Sequence, residues 1–259
     1  MNFNLPHLPL RPERPRKNGV TMVMDKGLSL RQAENFIDSS SEFVDVVKLG
    51  FGTAIITKNL DEKIRLYKEA GFKVYLGGTL FEAFIIRDMF DEYCSLIDKL
   101  KLDCAEVSDG SIVMNHEKKC EYINILSKRV TVLSEVGSKE EGIIIHPAKW
   151  VSMMNKELEA GSWKVIAEAR ESGTVGIYRS NGQAHTLLVN KILAKVKQEN
   201  ILWEAPQKPQ QVWFLKLLGP NANLGNISHD DVIPLETLRL GLRGDTFFAH
   251  LPQSLPKTV

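Results

Sequence analysis

Short apolar runs of β-prone residues recur along the chain at intervals of about 20 to 35 residues, and each stops on a cluster of charged, hydroxyl or Gly positions. Seven of them end at Met24-Asp25-Lys26-Gly27, Val47-Lys48-Leu49-Gly50, Leu76-Gly77-Gly78-Thr79, Ala105-Glu106-Val107-Ser108-Asp109, Leu133-Ser134-Glu135-Val136-Gly137-Ser138-Lys139, Ala167-Glu168-Ala169-Arg170-Glu171-Ser172 and Leu202-Trp203-Glu204-Ala205-Pro206. An eighth, weaker run ends at Ala222-Asn223-Leu224-Gly225-Asn226. A strand buried on both faces reads as a continuous apolar run, so the polar cluster at its end marks where the chain leaves the core. Eight such exits imply one polar mouth.

Helical patterns fill the intervals. Ser29-Leu30-Arg31-Gln32 has capping-box form and opens a helix over 30–40; Asn59-Leu60-Asp61-Glu62 and Thr79-Leu80-Phe81-Glu82 repeat the signal, the latter opening a helix over 79–99. Gly71 and Gly161 stand where two helices should end. Further helices are expected at 111–128, 147–160, 184–199, 207–218 and 228–242. Parallel strands need crossovers, and helices are the usual ones, so the order βαβα predicts a parallel sheet. Eight repeats in 259 residues favour closure into a single (β/α)8 barrel over 19–259. A doubly wound open sheet is the alternative, and no Gly-x-Gly-x-x-Gly after the first strand supports it. Residues 1–18, with Pro6, Pro9, Pro12 and Pro15 among Arg and Lys, read as an extended arm over the barrel bottom or a neighbouring subunit.

Composition narrows the partners. Lys and Arg number 33 against 32 Asp and Glu, so no global field favours nucleic acid or an anionic membrane, and any anion site must be local. Cys94, Cys104 and Cys120 show neither CxxC spacing nor an even count, which argues against zinc or a disulfide framework and fits a reducing cytoplasm. The N-terminus lacks the apolar core of a signal peptide, and no apolar run approaches the roughly 18 residues of a membrane span.

At the C-terminal ends of barrel strands, residues distant in sequence meet. Glu106, Glu135, Glu168 and Glu204 hold comparable positions on consecutive strands, and converging carboxylates repel unless a cation sits among them. Two or three could ligate Mg²⁺, which takes oxygen ligands; alternatively they pair with Lys48 or Arg170 in buried ion networks. Lys48 and Lys139 are acid/base candidates if burial shifts them, and ordinary solvated lysines otherwise. Gly77-Gly78-Thr79, Gly50-Phe51-Gly52-Thr53 and Gly137-Ser138 precede helices, where backbone amides favour phosphate or carboxylate; the Asn221 to Asn226 stretch and Arg243 are further phosphate candidates. Arg87 and Arg239 read as surface, Met22, Met24 and Trp203 as core, and His116, His146, His185 and His229 as solvated or capping.

Together these exits resemble the phosphosulfolactate synthase family, which includes the plant heat-stress-associated relatives. The resemblance rests on Glu135-Val136-Gly137-Ser138-Lys139, Glu168-Ala169-Arg170-Glu171-Ser172-Gly173, the stretch from Glu204 to Gln211, the stretch from Leu235 to Thr246, and Asp45 to Thr53 with Gly77-Gly78-Thr79. It implies a (β/α)8 barrel that adds sulfite to the methylene carbon of phosphoenolpyruvate, giving (2R)-3-phosphosulfolactate with Mg²⁺, a reaction that in archaea opens a route to coenzyme M. It also implies a homo-oligomer, with a trimer as one form. Lys139 best matches the family's proposed general acid. Lys48, Arg170 and Arg243, with the amides of Gly77, Gly78 and Gly225, are then the candidates for holding two anionic substrates, and Glu106, Glu135 and Glu168 for the metal. A noncatalytic stress-associated or phosphometabolite-binding barrel, or another Mg²⁺-dependent enzyme of enolates or sugar phosphates, is the alternative.

Overall fold

The computed structural model describes residues 3–137 and 145–255. Eight strands follow one another as β1 (Thr21–Asp25), β2 (Val46–Leu49), β3 (Lys73–Tyr75), β4 (Cys104–Val107), β5 (Thr131–Val136), β6 (Lys164–Ala167), β7 (Ile201–Glu204) and β8 (Leu224–Ser228). Between and after them lie helices α1 (Leu30–Ser40), α2 (Leu60–Glu69), α3 (Gly78–Ile85), α4 (Phe90–Lys99), α5 (His116–Ser127), α6 (Pro147–Glu159), α7 (Thr186–Leu193), α8 (Lys208–Leu218) and α9 (Val232–Arg239). Parallel ladders give the order β3-β2-β1-β8-β7-β6-β5-β4, and β4 returns beside β3, so the sheet forms a nearly closed (β/α)8 barrel.

Strand alternation sorts the side chains into two layers. Val23, Val47, Val74, Ala105, Val132, Val165, Trp203 and Leu224 face outward into the layer covered by helices. Val20, Met22, Val46, Tyr75, Cys104, Leu133, Ile166 and Leu202 pack against one another as the plug inside the barrel. Two residues past the plug, on the same inward face, stand Lys48, Glu106, Glu135, Glu168 and Glu204, all buried. The plug lies below them, and the mouth opens above.

Local signals explain the helix ends, including those that differ from expectation. The box at Ser29 forms, with Ser29 and Gln32 each accepting the other's backbone N–H. Gly71 and Gly161 take φ of 81° and 118° just past α2 and α6, as helix-terminating glycines do. Asn59 precedes α2 but has φ 53° and makes no side-chain cap bond. The expected helix over 79–99 is broken in two. Asp88, with φ 57°, closes α3 through the bonds of Asp88 N–H to Ile85 O and Met89 N–H to Phe84 O, a Schellman arrangement that a short polar side chain tolerates. Asn115 caps the N–H groups of Glu117 and Lys118, so α5 starts five residues later than the periodicity suggests.

Residues 3–18 contain neither helix nor strand. Arg11 bonds Glu236 at 2.8 Å, Arg14 the carbonyls of Val44 and Ala70, and Arg16 the carboxylate of Asp45, so the segment is tied to α9 and to the residues that lead into β2 and β3. Arg239, expected on the surface, is fully buried; it donates to the carbonyls of Pro220 and Ala222 at 2.7 Å. Arg87 is exposed.

Candidate active site

Above the plug lies a cavity of about 390 Å³, lined by Met24, Lys48, Phe51, Gly78, Thr79, Glu135, Ala169, Arg170, Glu171, Ser172, Glu204 and Asn226. These residues come from the exits of β1, β2, β3, β5, β6, β7 and β8, the end of the barrel at which such folds carry their chemistry. Lys48 stands at its centre. Its Nζ lies 3.0 Å from Glu106 Oε2, 3.6 Å from Glu135 Oε2 and 3.6 Å from Glu204 Oε1. Glu106 reaches across to β3, where its Oε1 accepts the Gly78 N–H at 2.6 Å, and Glu204 Oε2 accepts the Ala169 N–H at 2.7 Å.

The electrostatics follow from one ammonium facing three buried carboxylates. Burial pushes the Glu204 carboxyl up to about 8; Lys48 opposes the shift, while the charges of Glu135 and Glu106 reinforce it. Tyr75, beneath the cluster, is held well above the usual phenol range by burial first and then by Glu106. At the exposed rim, Lys26 pairs with Glu171, and the Arg170 guanidinium forms no ion pair among the described residues.

The sequence candidates separate by where the fold puts them. Lys48, Glu135 and Arg170 line the cavity, and Glu106 supports it from the side. Glu168 is buried at the exit of β6 against Gly137, where a Cβ would meet Glu168 Cβ and Oε2. Gly78 lines the cavity too, but its amide already serves Glu106, so its missing side chain matters for another reason: a Cβ there would overlap Ser108 Oγ and Glu106 Oε1. Gly77, with φ 77°, makes the turn that carries the chain past Leu49 O and Lys48 Cε. Gly225 and Arg243 do not line the cavity. A Cβ on Gly225 would meet Met22 and Leu202 of the plug, and Arg243 sits half-buried beyond α9, next but one to the Asp245 that pairs with Lys208 at 2.6 Å. Lys139 and Ser138 lie outside the described residues.

Met24, assigned to the core by its character, is 4% exposed and faces the cavity, and half-exposed Phe51 forms part of its wall. Strand alternation held a signal for Met24, which is two residues past Met22; Phe51 stands in the Gly50-Phe51-Gly52-Thr53 stretch, which drew attention for its glycines and not for its ring. Of the histidines, His146 caps α6 through the Ala148 N–H, and His116 meets Glu157 at 3.1 Å. Neither lines the cavity.

A hard cation fits this chemistry in one form. The lining is rich in oxygen acceptors, and the carboxyl groups of Glu106, Glu135 and Glu204 share the Lys48 ammonium. Among the described residues, no group of three or more His, Cys, Asp or Glu is arranged to hold a metal ion. Mg²⁺ commonly uses only one or two protein carboxylates, with water and substrate oxygens completing the shell, and Glu135 and Glu204 at the cavity wall suit that role.

The family model for (2R)-phospho-3-sulfolactate synthase (ComA) matches residues 9–245. A phosphosulfolactate synthase of Bacillus subtilis (strain 168) is 39% identical over 250 residues, 95% of this chain and 99% of its own length. The phosphosulfolactate synthase of Methanothermobacter thermautotrophicus is 39% identical over 244 residues, 92% of this chain and 95% of its own. Protein HEAT-STRESS-ASSOCIATED 32 of Arabidopsis thaliana is 24% identical, over 88% of each chain. Among solved structures, the 3-hexulose-6-phosphate synthase of Salmonella typhimurium superposes with a TM-score of 0.55 at 15% identity, over 86% of this chain and all of that one, a likeness of fold alone.

Proposed function

For a chain that belongs to the (2R)-phospho-3-sulfolactate synthase family and is an enzyme of that family, we propose that the cavity joins sulfite to phosphoenolpyruvate. The sulfur lone pair forms the new bond to the methylene carbon, the C2–C3 π electrons move toward the carboxylate, and a proton is delivered to C2; the phosphate ester stays intact. The supporting observation is the buried Lys48 ammonium below a cavity whose open rim carries Arg170, since two anionic substrates need fixed positive charge to approach each other.

In this reading Lys48 faces the charge that develops on the substrate carboxylate, and it is held in place by Glu106, itself fixed by the Gly78 N–H. Arg170 attracts and orients the phosphate at the rim. Lys139, which follows the exit of β5, donates the proton to C2. Glu135 and Glu204 at the cavity wall would hold Mg²⁺, which when bound would supply further stabilisation of the negative charge that develops on the substrate carboxylate. The apolar plug under the site keeps water from the floor, which strengthens each of these interactions.

The test is to incubate the protein with phosphoenolpyruvate, sulfite and Mg²⁺ and follow loss of the enol absorbance. Sulfite-dependent consumption that disappears on chelation and in Lys139→Ala is expected. Phosphoenolpyruvate binding without turnover would overturn the reading and favour a binding barrel; turnover without sulfite would point to another enolate chemistry.

A further inference from the structure

Strand β8 carries one residue more than its neighbour. Between paired positions, β1 advances two residues, from Thr21 to Val23, while β8 advances three, from Leu224 to Ile227. The extra residue makes a bulge at Gly225 and Asn226, and Asn226 takes φ 55°, a left-handed conformation that Asn tolerates better than most side chains. Gly225 faces the plug and Ile227 belongs to the outer layer, so strict alternation would turn Asn226 away from Gly225's side. The bulge instead lets Asn226 line the cavity while leaving it 8% exposed.

The orientation of its amide follows from its neighbour. Asn226 Nδ2 donates to Ala169 O at 3.3 Å, and because a carbonyl only accepts, the amide nitrogen must take that side. Asn226 Oδ1 is therefore turned the other way, and it is buried with no hydrogen-bond partner among the described residues. The N–H of the same Ala169 holds Glu204 Oε2 at 2.7 Å. Glu204 Oε1, also buried, accepts no hydrogen bond among the described residues and stands 3.6 Å from the Lys48 ammonium that two other carboxylates share. One residue at the exit of β6 thus fixes two acceptor groups: among the described residues, Asn226 Oδ1 has no partner, and Glu204 Oε1 has only its share of the Lys48 ammonium at 3.6 Å. A buried acceptor without a donor calls for a physical explanation, and a cation between the two oxygens is one that their chemistry fits.

We propose that Asn226 Oδ1 and Glu204 Oε1 are paired oxygen ligands for the divalent cation, with the bulge in β8 serving to bring the Asn226 carbonyl to it. Hard cations accept amide carbonyl and carboxylate oxygens alike. This inference rests on the Mg²⁺ requirement in the function proposed above, and it adds a neutral ligand from β8, a strand that contributes no carboxylate to the cavity.

Metal affinity of the full-length chain without substrate provides the test, with Mn²⁺ followed by electron paramagnetic resonance and Mg²⁺ by calorimetry. Asn226→Gly removes the amide and relaxes the backbone at φ 55°, so the variant should fold as the wild type does and bind Mn²⁺ at least about tenfold more weakly. Asn226→Asp loses the bond to Ala169 O but keeps an oxygen, and should hold Mn²⁺ about as tightly as the wild type. Glu204→Gln should weaken binding in the same range as Asn226→Gly. Equal Mn²⁺ affinity in Asn226→Gly and wild type would overturn the proposal, as would an Asn226→Asp variant as weak as Asn226→Gly, which would mark the amide as purely structural. Wild-type protein that binds neither ion would overturn it together with the Mg²⁺ requirement, whereas absent sulfite turnover with intact metal binding would count against the reaction alone.

Discussion

Lys48 offers its ammonium to Glu106, Glu135 and Glu204 at 3.0 to 3.6 Å, with each of these three carboxylates at most 2% exposed, so removing it creates a charge problem before it creates a packing one. Lys48→Met should cost about 3–5 kcal/mol at pH 7, the usual penalty for stranding buried charge. The deficit should shrink toward pH 5, where carboxylates left without a cation take up protons. Urea unfolding at the two pH values checks this, and a loss independent of pH would mean that the aliphatic stem, not the charge, had mattered. At this scale the sequence told a good deal: each of the four Glu residues and Lys48 falls two positions after an apolar interior residue. It did not tell which carboxylates would share the lysine. Nor did it show that the Gly78 amide, a plausible anion donor, would be taken by Glu106, because that bond crosses from β3 to β4.

Among elements, the β3–β4 boundary is where the barrel lacks a ladder, and side chains join it instead. Gly78 bonds Glu106, and Glu82 of α3 accepts from Ser108, Gly110 N–H and Ser111 N–H beyond β4. Gly78→Ala would push a methyl group into Ser108 and Glu106; a loss of about 1–3 kcal/mol is expected, with turnover falling further because Glu106 must move and Lys48 with it. Thermal unfolding and the sulfite assay on one preparation separate the two effects. At the opposite end, β6 begins with Lys164, whose Nζ donates to Lys17 O and Glu199 O and whose pKa burial pushes down to about 8. A lysine depressed in the folded state is neutral there, yet still protonated in the unfolded chain, between pH 8 and roughly 10.4. Unfolding then takes up a proton, so wild-type stability should rise over that window relative to Lys164→Met, by on the order of 2 kcal/mol. Denaturant midpoints of both proteins at pH 7.5 and 10 test the sign; parallel curves would refute it. Helix starts were legible wherever a cap was local, as at Ser29, while the break at Asp88 depends on a left-handed residue that periodicity passes over.

For the whole molecule, closure is maintained at the bottom while the candidate site opens at the top. Arg239 sits fully buried where β1 and β8 begin, bonded to Pro220 and Ala222, and Arg11 brings the N-terminal segment to Glu236 and Gly19 beside it. Arg239→Leu should destabilise the fold by about 3–5 kcal/mol by leaving the buried carbonyls of Pro220 and Ala222 without a donor, while Glu236 keeps Arg11, yet leave kcat of the folded fraction within about twofold, since the cavity lies at the other end. A drop in kcat at temperatures well below Tm would contradict that separation. The sequence by itself determined the repeat, the parallel sheet, the barrel and the ring of acidic residues at its mouth, because strand burial and helix caps are written in neighbouring residues. Only the tertiary structure decided that Lys48 is shared, that Arg239 is interior, that Gly225 sits against the plug, and that a bulge turns Asn226 inward. Those outcomes depend on register between strands some two hundred residues apart in the chain, such as β1 and β8, and no local pattern carries that information.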